Sequence, residues 1–180
     1  MRTIGLIVEG VFDEAALPEL VQKCSTVATT VIPRPCGGKK KLFAKFPGYL
    51  EEFRYAKQGS SVDKALVVFD ADHKDPQVEI MLLSKRIAAR QYPFPIKYCA
   101  IVQELEAWLL AKEVVAPEAL CDAKRELEAR LTAKGISYTQ EVARRLASSV
   151  DLQLLGQRCQ SFRAFPQSVR NGQGVPPTES

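Results

Sequence analysis

The sequence predicts an α/β fold: a mostly parallel four-stranded sheet with helices on both faces and a helical C-terminal extension. Three observations predict it. Short, nearly continuous apolar and β-branched runs recur through residues 1–102, each reading as a strand buried on both faces. Segments with helical spacing alternate with them, as a parallel sheet requires. Beyond Gln103 the pattern turns wholly helical.

The first strand is Thr3 to Val8, ending at Glu9-Gly10. Asp13 then opens a helix whose apolar positions Ala16, Leu17, Leu20 and Val21 follow helical spacing, and Thr26 to Ile32 supplies the second strand. Pro33, Pro35, Gly37 and Gly38 predict a loop that ends in Lys39-Lys40-Lys41. A helix is expected around Pro47 to Lys57, followed by a third strand, Lys64 to Phe69, that ends in Asp70-Ala71-Asp72. Pro76 suits a first helical turn continued by Val78 to Arg90, and Ile96 to Val102 is the fourth strand. Glu104 to Lys112, Pro117 to Lys134 and Thr139 to Ser148 are helical in pattern. The organisation predicted is an α/β domain over 1–112, a helical extension over 113–170 packed on it, and a disordered tail over 171–180.

Composition narrows the function classes. With 180 residues, 46% hydrophobic and 26% charged, the chain has room for one compact domain and not for two full enzyme domains. The longest apolar runs, such as Ala65 to Phe69, fall far short of the ~20 residues that a membrane helix needs. No secretory signal is visible at the N-terminus, so a cytoplasmic protein is expected. Five scattered cysteines without a C-x-x-C pair, beside a single histidine, support neither a disulfide frame nor a structural zinc site. The net charge is +4, with fifteen Lys/Arg against eleven Asp/Glu in residues 1–102 and ten against ten thereafter. That surplus mildly favours a polyanionic partner.

Carboxylates mark the expected site. In an open parallel sheet, ligands bind outside the carboxyl ends of the strands. Those ends carry Glu9, then Asp70 and Asp72, then Glu104. Asp13 could lean over the same crevice, or simply cap its helix. Asp70 and Asp72 would point to the same side if strand geometry persisted through Ala71. Glu106 is expected to face solvent on the helix that buries Trp108, leaving Glu104 as the better ligand. Gathered anions call for a divalent cation, and carboxylate ligation without His or Cys suits Mg²⁺ or Mn²⁺. His73, beside the acidic pair, reads as a proton-transfer group or an exposed loop residue. Lys39, Lys40, Lys41 and Lys45, interleaved with Phe43 and Phe46, would line an approach for nucleic acid or form a solvated loop with the rings packed inward.

Other phosphate motifs fail. Gly37-Gly38-Lys39-Lys40 has Pro33 where a P-loop needs its first glycine and Lys40 where it needs Ser or Thr. No G-x-G-x-x-G follows the first strand, and Asp70-Ala71-Asp72 runs into His73-Lys74 where an aspartate phosphatase would carry Thr or Val.

Ile7-Val8-Glu9-Gly10 with Asp13-Glu14, and Val67-Val68-Phe69-Asp70-Ala71-Asp72 about 60 residues later, resemble the two acidic motifs of a TOPRIM domain, the Rossmann-like catalytic module of topoisomerases, bacterial primases and OLD-family nucleases. Gly37-Gly38-Lys39, Gln103 to Ala111 and Ser161-Phe162-Arg163-Ala164-Phe165 are similar to small stand-alone TOPRIM-like proteins related to the OLD nuclease domain. The resemblance implies a metal-dependent nuclease-like site with Glu9, Asp13, Asp70, Asp72 and Glu104 as acidic ligands and Glu9 also suited to acid/base work. It further implies company with an ABC-type ATPase or a role in phage defence. No tyrosine is placed as a topoisomerase nucleophile, and no primase zinc domain is present. The function expected is therefore hydrolysis of phosphodiester bonds in DNA or RNA with Mg²⁺ or Mn²⁺. The alternatives are a non-catalytic or partner-activated subunit of an ATPase complex, and a metal-dependent phosphoryl-transfer enzyme acting on small phosphate esters.

Overall fold

Side chains that point alternately to opposite faces of strands buried throughout generate two cores, one on each face of a single sheet. Ile4, Leu6 and Val8 of β1 (Arg2–Val8) join one hydrophobic cluster, whereas Ile7 joins the other. The computed structural model describes residues 1–72 and 74–170; His73 and the tail predicted over 171–180 lie outside the described residues. After β1 come α1 (Val11–Cys24), β2 (Thr29–Pro35), α2 (Lys39–Phe53), β3 (Lys64–Asp70), α3 (Pro76–Ile87) and β4 (Ile96–Ile101). The four strands are all parallel, in the order β2-β1-β3-β4. The fold is α/β, compatible with a Rossmann-like architecture. Leu17, Leu20 and Val21 of α1 fill the first core, and Leu42, Phe46, Leu50 and Phe53 of α2, with Leu83 and Ile87 of α3, fill the second.

Two prolines and two glycines that predict a loop divide differently in the structure. Pro33 and Pro35 belong to β2, which runs to Pro35 as an edge strand paired only with β1. Cys36 N–H donates to Val8 O at 2.9 Å, so by alternation the prolines turn their donorless nitrogens to the free edge, where they cost no ladder bond. Gly37 and Gly38, at φ +87° and +114°, make the turn, and α2 begins at once with Lys39 instead of near Pro47. Pro47 sits inside α2, and the Phe43 carbonyl that it leaves without a helical donor accepts from Arg86 Nη1 at 3.0 Å. Asp13 does not open α1; Gly10 caps the helix and Asp13 lies in its first turn.

The extension comprises α4 (Leu105–Leu109), a 3₁₀ turn (Pro117–Ala119), α5 (Ala123–Ala133), α6 (Gln140–Ser149), α7 (Leu152–Arg158), a second 3₁₀ turn (Ser161–Ala164) and α8 (Phe165–Arg170). The helix expected over Pro117 to Lys134 is interrupted because Asp122 caps a fresh start, accepting from Arg125 N–H at 2.8 Å. These helices share the core of the sheet face that α1 covers. Trp108 stacks edge-on against Phe162 and Phe165, with ring centroids 5.0 and 5.4 Å away, and its indole N–H donates to Ser161 Oγ at 2.9 Å. The sequence motifs around Trp108 and Phe162 thus meet as one packing unit. Lys64, wholly buried, donates to the carbonyls of Ser168 (2.6 Å) and Val169 (3.1 Å), and Arg2 donates to those of Val169 and Arg170. Both cations satisfy the open carbonyl end of α8 and tie it to the sheet. Among the described residues, no helix is long and apolar enough to cross a membrane.

Gly5 lets α2 lie directly on β1: a Cβ there would fall 2.3 Å from the buried Phe53 ring. Gly5→Val is expected to destabilise the fold by ~1–3 kcal/mol, as overpacking does. Urea unfolding checks it, with a lowered midpoint at unchanged slope as the expected result.

Candidate functional site

The chain runs from β1 out to β2, then returns to the other side of β1 for β3, which makes the gap between the ends of β1 and β3 the topological switch point. Glu9 organises that gap. Its backbone carbonyl accepts from Gly37 and Gly38 N–H, both at 2.8 Å, which ties the β2–α2 turn to the end of β1. Its side-chain Oε1 accepts from Asp70 N–H at 2.9 Å, which stitches β1 to β3.

A cleft of about 240 Å³ opens there, lined by Glu9, Phe12, Asp13, Asp70, Glu104, Glu106 and Lys124 together with Gly10 and Gly38. Asp13 Oδ2 accepts from Gly10 N–H at 2.8 Å, and Glu104 Oε2 accepts from Lys124 N–H at 2.9 Å. Glu106 is buried and accepts from the Tyr138 hydroxyl at 3.0 Å. The expectation that it faces solvent is overturned, because α4 is buried along its whole length and carries Glu106 inward with it. Tyr138 stacks on Phe12 at 4.6 Å, and the Lys124 ammonium lies 5.1 Å from the same ring.

Crowding shows in the acidities. Burial pushes Asp70 up to about 10, and the charges of Asp13, Glu9, Glu106 and Asp72 add to the rise. Burial also lifts Asp13 to about 7, against the Gly10 hydrogen bond and with help from Glu106 and Glu9. Glu9 and Glu106 are raised for the same first reason, desolvation, which outweighs the hydrogen bonds each accepts.

Asp72 departs from the expected alternation. The strand ends at Asp70, and Asp72 sits at φ +48°, so the two aspartates line different cavities. Asp72 Oδ2 accepts from Lys39 Nζ at 3.0 Å, and Lys39 also reaches Asp70 O (2.7 Å) and the buried Glu79 Oε2 (3.2 Å). Burial works to lower the Lys39 pKa, but its hydrogen bonds to Asp72 and Glu79 prevail and raise it. Lys39 is therefore a fixed counter-charge inside the site, not a loop lysine. Lys40 is exposed at the neighbouring cavity, Lys41 packs over Gly37, and Lys45 donates to Cys36 O at 3.0 Å. Phe46 is fully buried and Phe43 half-buried. His73 lies outside the described residues.

Phe12, Glu79, Lys124 and Tyr138 were not foreseen. Glu79, four residues after the helix cap Asp75, reads in sequence as an ordinary first-turn acid. Lys124 and Tyr138 carry no local signal, since only the fold brings the extension over the cleft.

The donor set fits a hard divalent cation: it is all oxygen, and the hydrogen-bonded carboxylates Glu9, Asp13 and Glu104 each use one oxygen on a backbone N–H and keep the other. Asp70 has no donor to its carboxylate among the described residues. As the side chains stand, no three His, Cys, Asp or Glu among the described residues close on a common point at metal-ligand distance. No family model, curated protein or solved structure matches the chain.

The raised carboxylates fix a sign. Their folded-state values lie above the unfolded ones, so their stabilising contribution is complete below about pH 4 and is lost as pH rises through about 7 for Asp13 and about 10 for Asp70. Asp70→Asn is expected to melt several degrees above wild type at pH 8 in EDTA, ~1 kcal/mol being worth about 2–4 °C in a domain of this size. The gap should narrow as pH falls toward 4. A variant that melts at or below wild type at pH 8 would contradict the crowding described.

Proposed function

We propose that the protein hydrolyses phosphodiester bonds of nucleic acid in the cleft between β1 and β3, in the manner of a TOPRIM domain, with Mg²⁺ or Mn²⁺. One observation carries the reading: the residues that match the two TOPRIM motifs, Glu9 and Asp70, meet at the switch point through a direct hydrogen bond of 2.9 Å, in a cleft that three more carboxylates line. Such a concentration of anions serves no packing purpose and lowers the stability of the chain alone.

Each side chain then has a part. Asp70, Asp13 and Glu104 would hold the cation, with Asp72 near the rim of the site. A bound Mg²⁺ or Mn²⁺ supplies a lowered pKa for an attacking water and neutralises charge on the phosphate. Glu9, fixed by the Asp70 N–H and raised in pKa by burial, is placed to accept and return a proton. Lys124 contributes a positive charge to the lining of the same cleft. Lys39 holds the Asp70-to-Asp72 turn through the Asp70 carbonyl and the Asp72 carboxylate, so that removal of its amine would release the turn instead of a substrate contact.

The test is cleavage of supercoiled plasmid, single-stranded DNA and RNA by wild type and Asp70→Ala, with Mg²⁺, Mn²⁺ or EDTA. Wild type is expected to cut only with metal, and Asp70→Ala to lose more than the ~10–100-fold that removal of an outer-shell partner costs, with its fold retained. Cutting that persists in EDTA, or in Asp70→Ala at the wild-type rate, would overturn the assignment. So would an intact panel of substrates under every condition.

A further inference from the structure

A second cavity, of about 520 Å³, adjoins the acidic cleft along the Gly38-Lys39 and Asp70-to-Asp72 segments; Lys39, Lys40, Phe43, Asp72, Lys74 and Glu79 line it. Its three lysines differ in how free their charges are. Lys39 is held at 3.0 Å by Asp72 and 3.2 Å by Glu79. Lys74 is 63% exposed at its side chain and only 3.9 Å from Glu79 at its nearest. Lys40 is exposed, and no carboxylate among the described residues pairs with it. Phe43 is half-buried: it packs against the α2–α3 core and borders the cavity.

An aromatic ring beside one unpaired ammonium group, Lys40, and a second, Lys74, held only by a long ion pair to Glu79 matches a nucleotide, whose base stacks on the ring and whose phosphate takes the cations. The volume is that of a small-ligand pocket, larger than the cleft beside it. A base reaches an aromatic side chain only when it is unpaired, which selects a single strand.

We propose that this cavity binds the nucleotide adjacent to the scissile phosphate on a single nucleic-acid strand, with Phe43 against the base and Lys40 and Lys74 on its phosphate. The inference rests on the nuclease reading for its place beside the reacting centre. It divides the lysine cluster, because neither Lys41 nor Lys45 lines the cavity, and Lys45 donates to the Cys36 carbonyl.

The experiment measures binding of a fluorescent single-stranded oligonucleotide by anisotropy across a salt series, using full-length Asp70→Asn protein in EDTA so that nothing is cut. Lys40→Ala with Lys74→Ala is expected to weaken binding at least ~10-fold at low salt and to lower the salt slope by about 0.7, the share of one neutralised phosphate on a single strand. Lys41→Ala with Lys45→Ala, which removes the same net charge, is expected to leave the slope unchanged. An oligonucleotide carrying one 5-iodouracil should crosslink to Phe43, read by mass spectrometry. Equal losses from the two lysine pairs, a crosslink elsewhere, or no binding would overturn the subsite. The two readings fail separately. Wild-type cleavage with strand binding indifferent to Lys40 and Lys74 would remove the subsite alone, whereas binding that maps to Phe43 in a protein that cuts nothing would remove the nuclease reading and keep the strand site.

Discussion

Burial of carboxylates beside one another, with their mutual repulsion added to the cost of desolvation, shapes the mouth of this sheet. Glu9, Asp13, Asp70, Glu104 and Glu106 line one cleft, and two unit charges ~4 Å apart interact by roughly 4 kcal/mol at an effective dielectric of about 20. The chain meets that cost locally: backbone N–H groups of Gly10, Asp70 and Lys124 each serve one carboxylate, Tyr138 serves another, and Lys39 and Lys124 bring positive charge to the rim. Asp70 is left with the least help and the largest rise in pKa. Nothing in the core requires these acids to be together, and the cation of the proposed function would offset the energy that they cost.

The parallel sheet supplies the first half of that arrangement and the extension supplies the second. Strands β1 and β3 deliver Glu9 and Asp70 to adjacent positions because they are parallel neighbours in the sheet at the point where the strand order reverses. Glu104, Glu106, Lys124 and Tyr138 arrive from α4, its leading residue, α5 and the segment before α6. Those helices hold their places by packing into the core that β1, β3, β4 and α1 share, with Trp108 set between Phe162 and Phe165. The same aromatic contacts that stabilise the extension therefore fix one wall of the cleft. Lys64 and Arg2 close the assembly from the other end of the strands.

Much of this was legible in the sequence where burial on both faces produces unbroken apolar runs, as in Ile4 to Val8 and Ala65 to Phe69. The positions of Glu9 and Asp70 followed from those runs, since each is the first carboxylate after an unbroken apolar run. Pro33 and Pro35 misled because a proline stops a central strand and not an edge strand, and the sequence does not say which strand is the edge. Glu106 misled for a different reason: α4 is too short for a polar face to show in its periodicity, and tertiary packing buries all of it. Asp72 turned away from Asp70 through a left-handed backbone that residue type alone did not announce. Lys39 looked like one of four similar lysines, and only the return of α3 with the buried Glu79 singles it out.

The proposed function requires the cleft to receive a divalent cation. Calorimetric titration of wild-type protein with Mn²⁺ at pH 6.5, repeated in buffers of different ionisation heat, tests it most directly. At that pH the raised pKa values of Asp13 and Asp70 keep protons on the cleft that a cation must displace. Saturable binding with protons released to the buffer is the result predicted. Absence of binding at millimolar Mn²⁺, or binding that releases no proton, would contradict it.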